Sequence, residues 1–415
     1  MDRIALTIDE ADEGYELENL HHPAFRIPVI NPLHRHVFKG AKLRLNDGGW
    51  TDVARMETHG EHCLTAYRKC LAIDLEDDAA LSFPGTEEPV SRRFELVSMQ
   101  EDRGLSTTDL GCRIYGEHHL FPLGGRYVEL IVNERPKGPY YMVTAPHEFL
   151  KESGSPFAGR GSGPVNSFKT VYYDKKAGGL AEKEYLLAHR EIVSLAGKLV
   201  NQGPALYEEL ESRMDIDRYI EFLALNSILM NGDSADEVFF YAVPKKEGKT
   251  PYFEVMAWDL DSLFEKPHWF PQNSLIWRGR IKSTLFYSME SPLDRHLSHD
   301  HDIRLLLARE IDKLLTDDFT PAKIDEQFEA TREQLLRFSS DERIMAPTGR
   351  DPGRKTPYSQ SEILAILDDK RRILLDRRSF LLEQTRHILA DDQSRVISRT
   401  RDADARTRIR DISPR

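Results

Sequence analysis

Three aspartates in one short stretch have the residue type and placing that could hold a hard cation or take up a proton. Within residues 215–265, Asp233 follows a long apolar run, and Asp259 and Asp261 close a second one as Trp258-Asp259-Leu260-Asp261. Carboxylates at the ends of packed elements sit where rigid scaffolds carry catalytic and metal-binding groups. The elements that must position them are legible. Asp215 can cap a helix in which Ile216, Tyr219, Ile220, Leu223, Leu225, Ile228 and Leu229 leave no polar stripe, so that helix is expected to be buried. It ends at Asn231-Gly232, where glycine permits the turn that delivers Asp233. Two β-rich runs follow, Val238 to Val243 and Tyr252 to Trp258, joined by the turn-like KKEGK.

A buried helix, an Asp after its end, a short hairpin and then a further Asp look like the catalytic half of a kinase, although H-R-D and D-F-G strings are absent. The order and spacing of Asn226, Asn231-Gly232-Asp233, Phe239-Phe240-Tyr241 and Trp258-Asp259-Leu260-Asp261 resemble the CotH kinase family. The resemblance runs from about Lys39 to about Glu383. It implies an α+β, two-lobed protein-kinase-like fold with a β-rich N-lobe and a mainly helical C-lobe.

The chain of 415 residues is long enough for two lobes, and 40% hydrophobic with 30% charged residues reads as soluble and globular. The acidic start MDRIALTIDEADEGYELENL is unlike a signal peptide, which implies a cytoplasmic protein. No membrane partner is expected, and the net charge of −12 argues against nucleic acid as a partner. Cys63, Cys70 and Cys112 form no disulfide framework and read as buried free thiols. The histidine groups at His59 and His62, and at His296, His299 and His301, lack a zinc-site partner set.

Residues 1–38 read as an N-terminal extension, 39–145 as the N-lobe, 146–389 as the C-lobe and 390–415 as a disordered tail. Asp47-Gly48-Gly49 signals a hairpin, and a helix is expected with its cap near Ser106 or Thr107. FAGRGSGPVN reads as a mobile connector, since it lacks the Walker string and its strand-to-helix setting. MAPTGRDPGRKTP reads as a basic surface loop.

The resemblance also assigns roles. Arg55, Gly60 and Lys69 match a family segment, making Arg55 and Lys69 candidate nucleotide contacts, with Glu117 as the partner of Lys69. Asp259 would coordinate Mg²⁺ or Mn²⁺ between the phosphates of ATP, with Asp261 as second ligand or orienter, and Asp233 would accept or position the acceptor's proton. Where the family places an Asn as a further metal ligand, this chain has Glu237. The implied activity is ATP-dependent phosphorylation of Ser or Thr on a protein acceptor. Two alternatives stay open: attachment of an amino acid such as glutamate through an activated intermediate, and a pseudokinase that binds partners without catalysis.

Overall fold

A computed structural model of the chain describes residues 1–9, 35–60, 68–76, 81, 92–121, 124–162, 167–177, 179–233, 238–244, 250–264, 285–287, 291–351 and 354–410. For 162, 167, 168 and 393–410 the backbone alone is described.

Strict alternation of apolar residues builds the first unit, because successive strand side chains point to opposite faces. Its strands are β1 (Asp2–Thr7), β2 (Val37–Phe38), β3 (Lys42–Leu45), β4 (Trp50–His59), β5 (Cys70–Leu75), β6 (Arg93–Val97), β7 (Gly125–Val132) and β8 (Arg135–Thr144). Seven of them close into a barrel in the order β4-β3-β1-β7-β8-β6-β5, since β5 pairs back onto β4, and β2 adds to β4 outside the ring. All pairings are antiparallel except β1 with β7. Ile4, Leu43, Ile73, Phe94, Val128 and Tyr140 fill its interior. The turn from β7 to β8 uses Asn133 and Glu134, both at positive φ (46° and 66°), the conformation a tight hairpin requires.

The expected extension at 1–38 needs correction at its start. The run DRIALT alternates, with Ile4 and Leu6 inward, and β1 joins β3 to β7 within the ring. The acidic and proline-rich composition of the longer segment hid this six-residue strand.

The second unit combines helices with a four-stranded antiparallel sheet. Its elements are α2 (Pro146–Glu152), β9 (Phe157–Ser162), β10 (Ser167–Tyr173), α3 (Glu182–Leu199), α4 (Pro204–Glu211), α5 (Ile216–Leu229), β11 (Val238–Val243) and β12 (Tyr252–Ala257). They are followed by α6 (Pro292–His299), α7 (His301–Asp317), α8 (Pro321–Leu336), α9 (Glu342–Met345), a 3₁₀ turn (Ala346–Arg350) and α10 (Gln360–Arg410). One further helix, α1 (Thr107–Glu117), lies between β6 and β7 in sequence and packs on α8. The α+β class is as expected.

Three expectations change here. FAGRGSGPVN is no simple connector: Phe157–Ser162 forms β9, paired with both β10 and β11. A Cβ on Gly159 would stand 3.0 Å from the Phe157 ring, so this glycine serves close packing. The basic loop is not merely surface either, because Thr348 and Asp351 are buried and Asp351 holds Arg68 by two bonds of 2.7 and 2.8 Å. Arg68 lies two residues ahead of β5 and also donates to the Pro139 carbonyl of β8 at 2.8 Å, so the loop clasps the barrel. The tail from Ala390 continues α10 to Arg410; its Arg, Asp and Ala residues include no helix breaker before Pro414.

Cys112 is a buried free thiol as expected, whereas Cys70 is disulfide-bonded, with its other half outside the described residues. That corrects the free-thiol reading for Cys70. Among the described residues no helix is long and apolar enough to cross a membrane.

Candidate active site

The helix α5 forms because Asp215 accepts the Arg218 N–H at 3.0 Å and every turn beyond it is apolar. Eleven of its residues are buried, including all from Phe222 to Leu229. Met230, not the glycine, takes the left-handed conformation that ends it (φ 53°), and its N–H returns to the Asn226 carbonyl. Asn226 Oδ1 then accepts from Tyr115 Oη at 2.6 Å and from Asn231 Nδ2 at 3.2 Å. Asn231 Oδ1 in turn accepts the Asp233 N–H at 3.2 Å. Two buried amides thus transmit the position of α5 to the backbone of Asp233.

The strand β12 delivers the other two aspartates. Trp258 is buried, with its ring 5.9 Å from those of Phe121 and Phe239, which anchors the strand's exit. Asp259 sits at φ 54°, a conformation that costs a non-glycine residue roughly 1–2 kcal/mol. Strain of this kind persists where surrounding contacts dictate it. Here Gly232 N–H donates to Ser262 O and Phe264 N–H donates to Leu229 O, each at 2.9 Å, so the loop after α5 and the D-L-D turn are stitched together. Helix α1 closes the third side. A Cβ on Gly111 would lie 2.6 Å from Leu260 Cβ and 3.1 Å from Leu263, so only glycine lets the helix approach the turn this closely.

The electrostatics report the same convergence. The Asp261 carboxyl is pushed well above the usual carboxylate range, first by burial and then by the charges of Asp259, Asp102 and Asp233. Ser262 Oγ opposes this by donating to Asp261 Oδ1 at 3.1 Å. Across from the turn, Glu95 on β6 is buried, bonded to His59 Nε2 at 3.1 Å, and raised by burial with Asp259 adding to the effect.

The structure therefore brings Asp233, Asp259 and Asp261 together. Lys69 stands just ahead of β5, in which Leu71, Ile73 and Leu75 face the barrel core while Cys70, Ala72 and Asp74 take the other face. Lys69 is 3% exposed, and burial lowers its pKa to about 8. Glu117 is not its partner: it is exposed at the end of α1 and accepts Gln327 Nε2 of α8 at 2.6 Å. Arg55 is largely exposed and donates to Glu57 at 2.7 Å. Glu237 lies outside the described residues. The reading from spacing missed Asp102 and Glu95. Asp102 was findable in principle as an acidic residue just ahead of a helix start; Glu95 was not, because one Glu in a strand carries no signal until the opposite unit is known.

The donor set suits a hard cation that brings ligands of its own. Among the described residues no three His, Cys, Asp or Glu side chains are grouped so as to hold a metal by themselves. Mg²⁺ characteristically takes one or two carboxylates and completes its shell with water and substrate phosphates. Asp259 and Asp261 fit that pattern, and the repulsion that raises the Asp261 carboxyl is what a cation would relieve.

No curated protein matches the sequence. The family model described as CotH kinase protein matches residues 56–348, more than half of the chain. With the D-L-D turn, the Asn226–Asn231 pair and Asp233 all inside that span, the chain belongs to the CotH kinase family.

Proposed function

We propose that the protein is an ATP- and Mg²⁺-dependent phosphotransferase acting on a Ser or Thr hydroxyl of a protein acceptor. The observation that carries the reading is the stitching of the Asp233 loop to the D-L-D turn, which brings the charges of Asp259 and Asp233 to bear on the Asp261 carboxyl. Asp259 and Asp261 would hold the metal, which when bound neutralises charge on the transferring phosphoryl group. Asp233, whose backbone is fixed by Asn231, would orient the acceptor hydroxyl and take its proton as the bond from that oxygen to the γ-phosphorus forms and the bond to the β-phosphate oxygen breaks. Glu95 with His59 would border the nucleotide on the barrel side. The barrel would serve as the nucleotide lobe.

The test is intact-mass analysis of the full chain with a protein acceptor, ATP and Mg²⁺, with and without glutamate. A phosphate increment that needs Mg²⁺ supports phosphotransfer. A glutamyl increment, or no increment with ATP bound but unconsumed, would replace it with the ligase or the non-catalytic reading.

A further inference from the structure

Lys370 on α10 reaches a part of the molecule far from it in sequence. Its Nζ donates to Asp102 Oδ1 at 3.2 Å, to the Arg103 carbonyl at 2.8 Å and to Ser106 Oγ at 3.0 Å, and it also meets Thr107 Oγ1. The residue is 8% exposed. An ammonium has three N–H donors and no acceptor, so these partners saturate it and leave nothing for a ligand. Its work is therefore on its neighbours.

Asp102 is fully buried and accepts the N–H groups of Ser106, Thr107 and Thr108 at 3.2, 3.0 and 2.9 Å. Those are the open donors at the start of α1, and a carboxylate there is favoured by the helix dipole. Lys370 offsets the charge of Asp102 and fastens Ser106 and Thr107 as well, so one cation of the C-terminal helix determines where α1 begins. From that start α1 reaches the acidic site twice, through Gly111 against Leu260 and through Tyr115 Oη on Asn226.

We propose that Lys370 is a positioning residue for the acidic site, holding Asp102 and the first turn of α1 so that the D-L-D turn and the Asp233 loop keep their mutual register. Its catalytic consequence rests on the phosphotransfer reading; the mechanical coupling does not.

Two readouts on the full chain separate these. In hydrogen exchange, Lys370→Met should speed exchange at 106–111 and also at 258–264, while β1 and β3 stay at the wild-type rate. In turnover of ATP with Mg²⁺, the same variant should lose about tenfold or more in kcat with KM for ATP little changed, and should add little once Asp102→Asn is present, because residues that act as a unit are not additive. Ser106→Ala removes one contact and should show the exchange pattern at smaller amplitude, which serves if the methionine variant does not fold. Faster exchange confined to α10 and 102–108 would overturn the proposal, as would multiplicative losses in the double variant. Coupled exchange in a wild-type protein that turns over no ATP would uphold the coupling and reject the phosphotransfer reading.

Discussion

Replacing Gly111 by alanine tests whether the approach of α1 to the D-L-D turn is what the site depends on. The new Cβ would lie 2.6 Å from Leu260 Cβ, 3.1 Å from Leu263 Cδ1 and 3.2 Å from the Leu260 carbonyl, so either the helix or the turn must shift. Forcing an extra methyl into a packed interface costs about 1–3 kcal/mol, and alanine returns roughly 1 kcal/mol as the better helix former. The net loss of stability is then about 0–2 kcal/mol, a fall in melting temperature of no more than several degrees for a chain of this size. Activity should suffer much more, since a shift of about 1 Å at reacting groups can cost on the order of 10²-fold in rate. Melting curves and Mg²⁺-dependent ATP turnover measured side by side give the comparison, with Gly124→Ala, where a Cβ meets nothing within 4 Å, as the neutral control. Wild-type turnover in a folded Gly111→Ala protein would refute the reasoning.

Further outcomes follow from the same structure. Asp259→Asn should abolish Mg²⁺-dependent turnover with the fold retained; unchanged turnover would remove Asp259 from the metal site. Asp233→Asn should lower transfer by about 10²–10⁴-fold while calorimetric ATP affinity holds, and equal loss in both would recast the residue as structural. Arg68→Met should cost about 3–5 kcal/mol in chemical denaturation because it strands Asp351 as a buried unpaired charge, whereas adding Asp351→Leu should restore part of the loss. The buried His189 ring lies 4.3 Å from Phe240, and burial lowers its pKa from 6.5 to about 3. Below pH 6.5 the unfolded chain takes up a proton that the native state refuses, so stability falls with pH until about pH 3. At pH 4.5 the contribution is about 3 kcal/mol, and His189→Phe should flatten this part of the pH–stability curve; a parallel curve would show that His189 is not responsible.

The placing of the three aspartates was legible because the signals for the elements that carry them are local. An apolar run without a polar stripe could only be a buried helix, so α5 and Asp233 at its exit followed from Ile216 to Leu229, and Asp259 and Asp261 followed from the β-rich run before them. What depends on partners distant in sequence was not. Lys69 has the right type and neighbours for a nucleotide contact, but that it is buried just ahead of β5 shows only once the chain is folded. Glu117 follows the helix period well enough, but the rotation of α1 is set by Gly111 on Leu260 and by Asp109 bonded to Thr331 at 2.6 Å, and that rotation sends Glu117 to Gln327 instead. The six residues of β1 carried too little pattern to outweigh their acidic surroundings, and pairing with β7, more than a hundred positions away, is what makes them a strand. Lys370 and Asp102 lie 268 positions apart, as do many Lys and Asp residues that never meet. Their pairing exists only because packing brings α10 across the start of α1, where burial makes an unpaired charge too costly to leave.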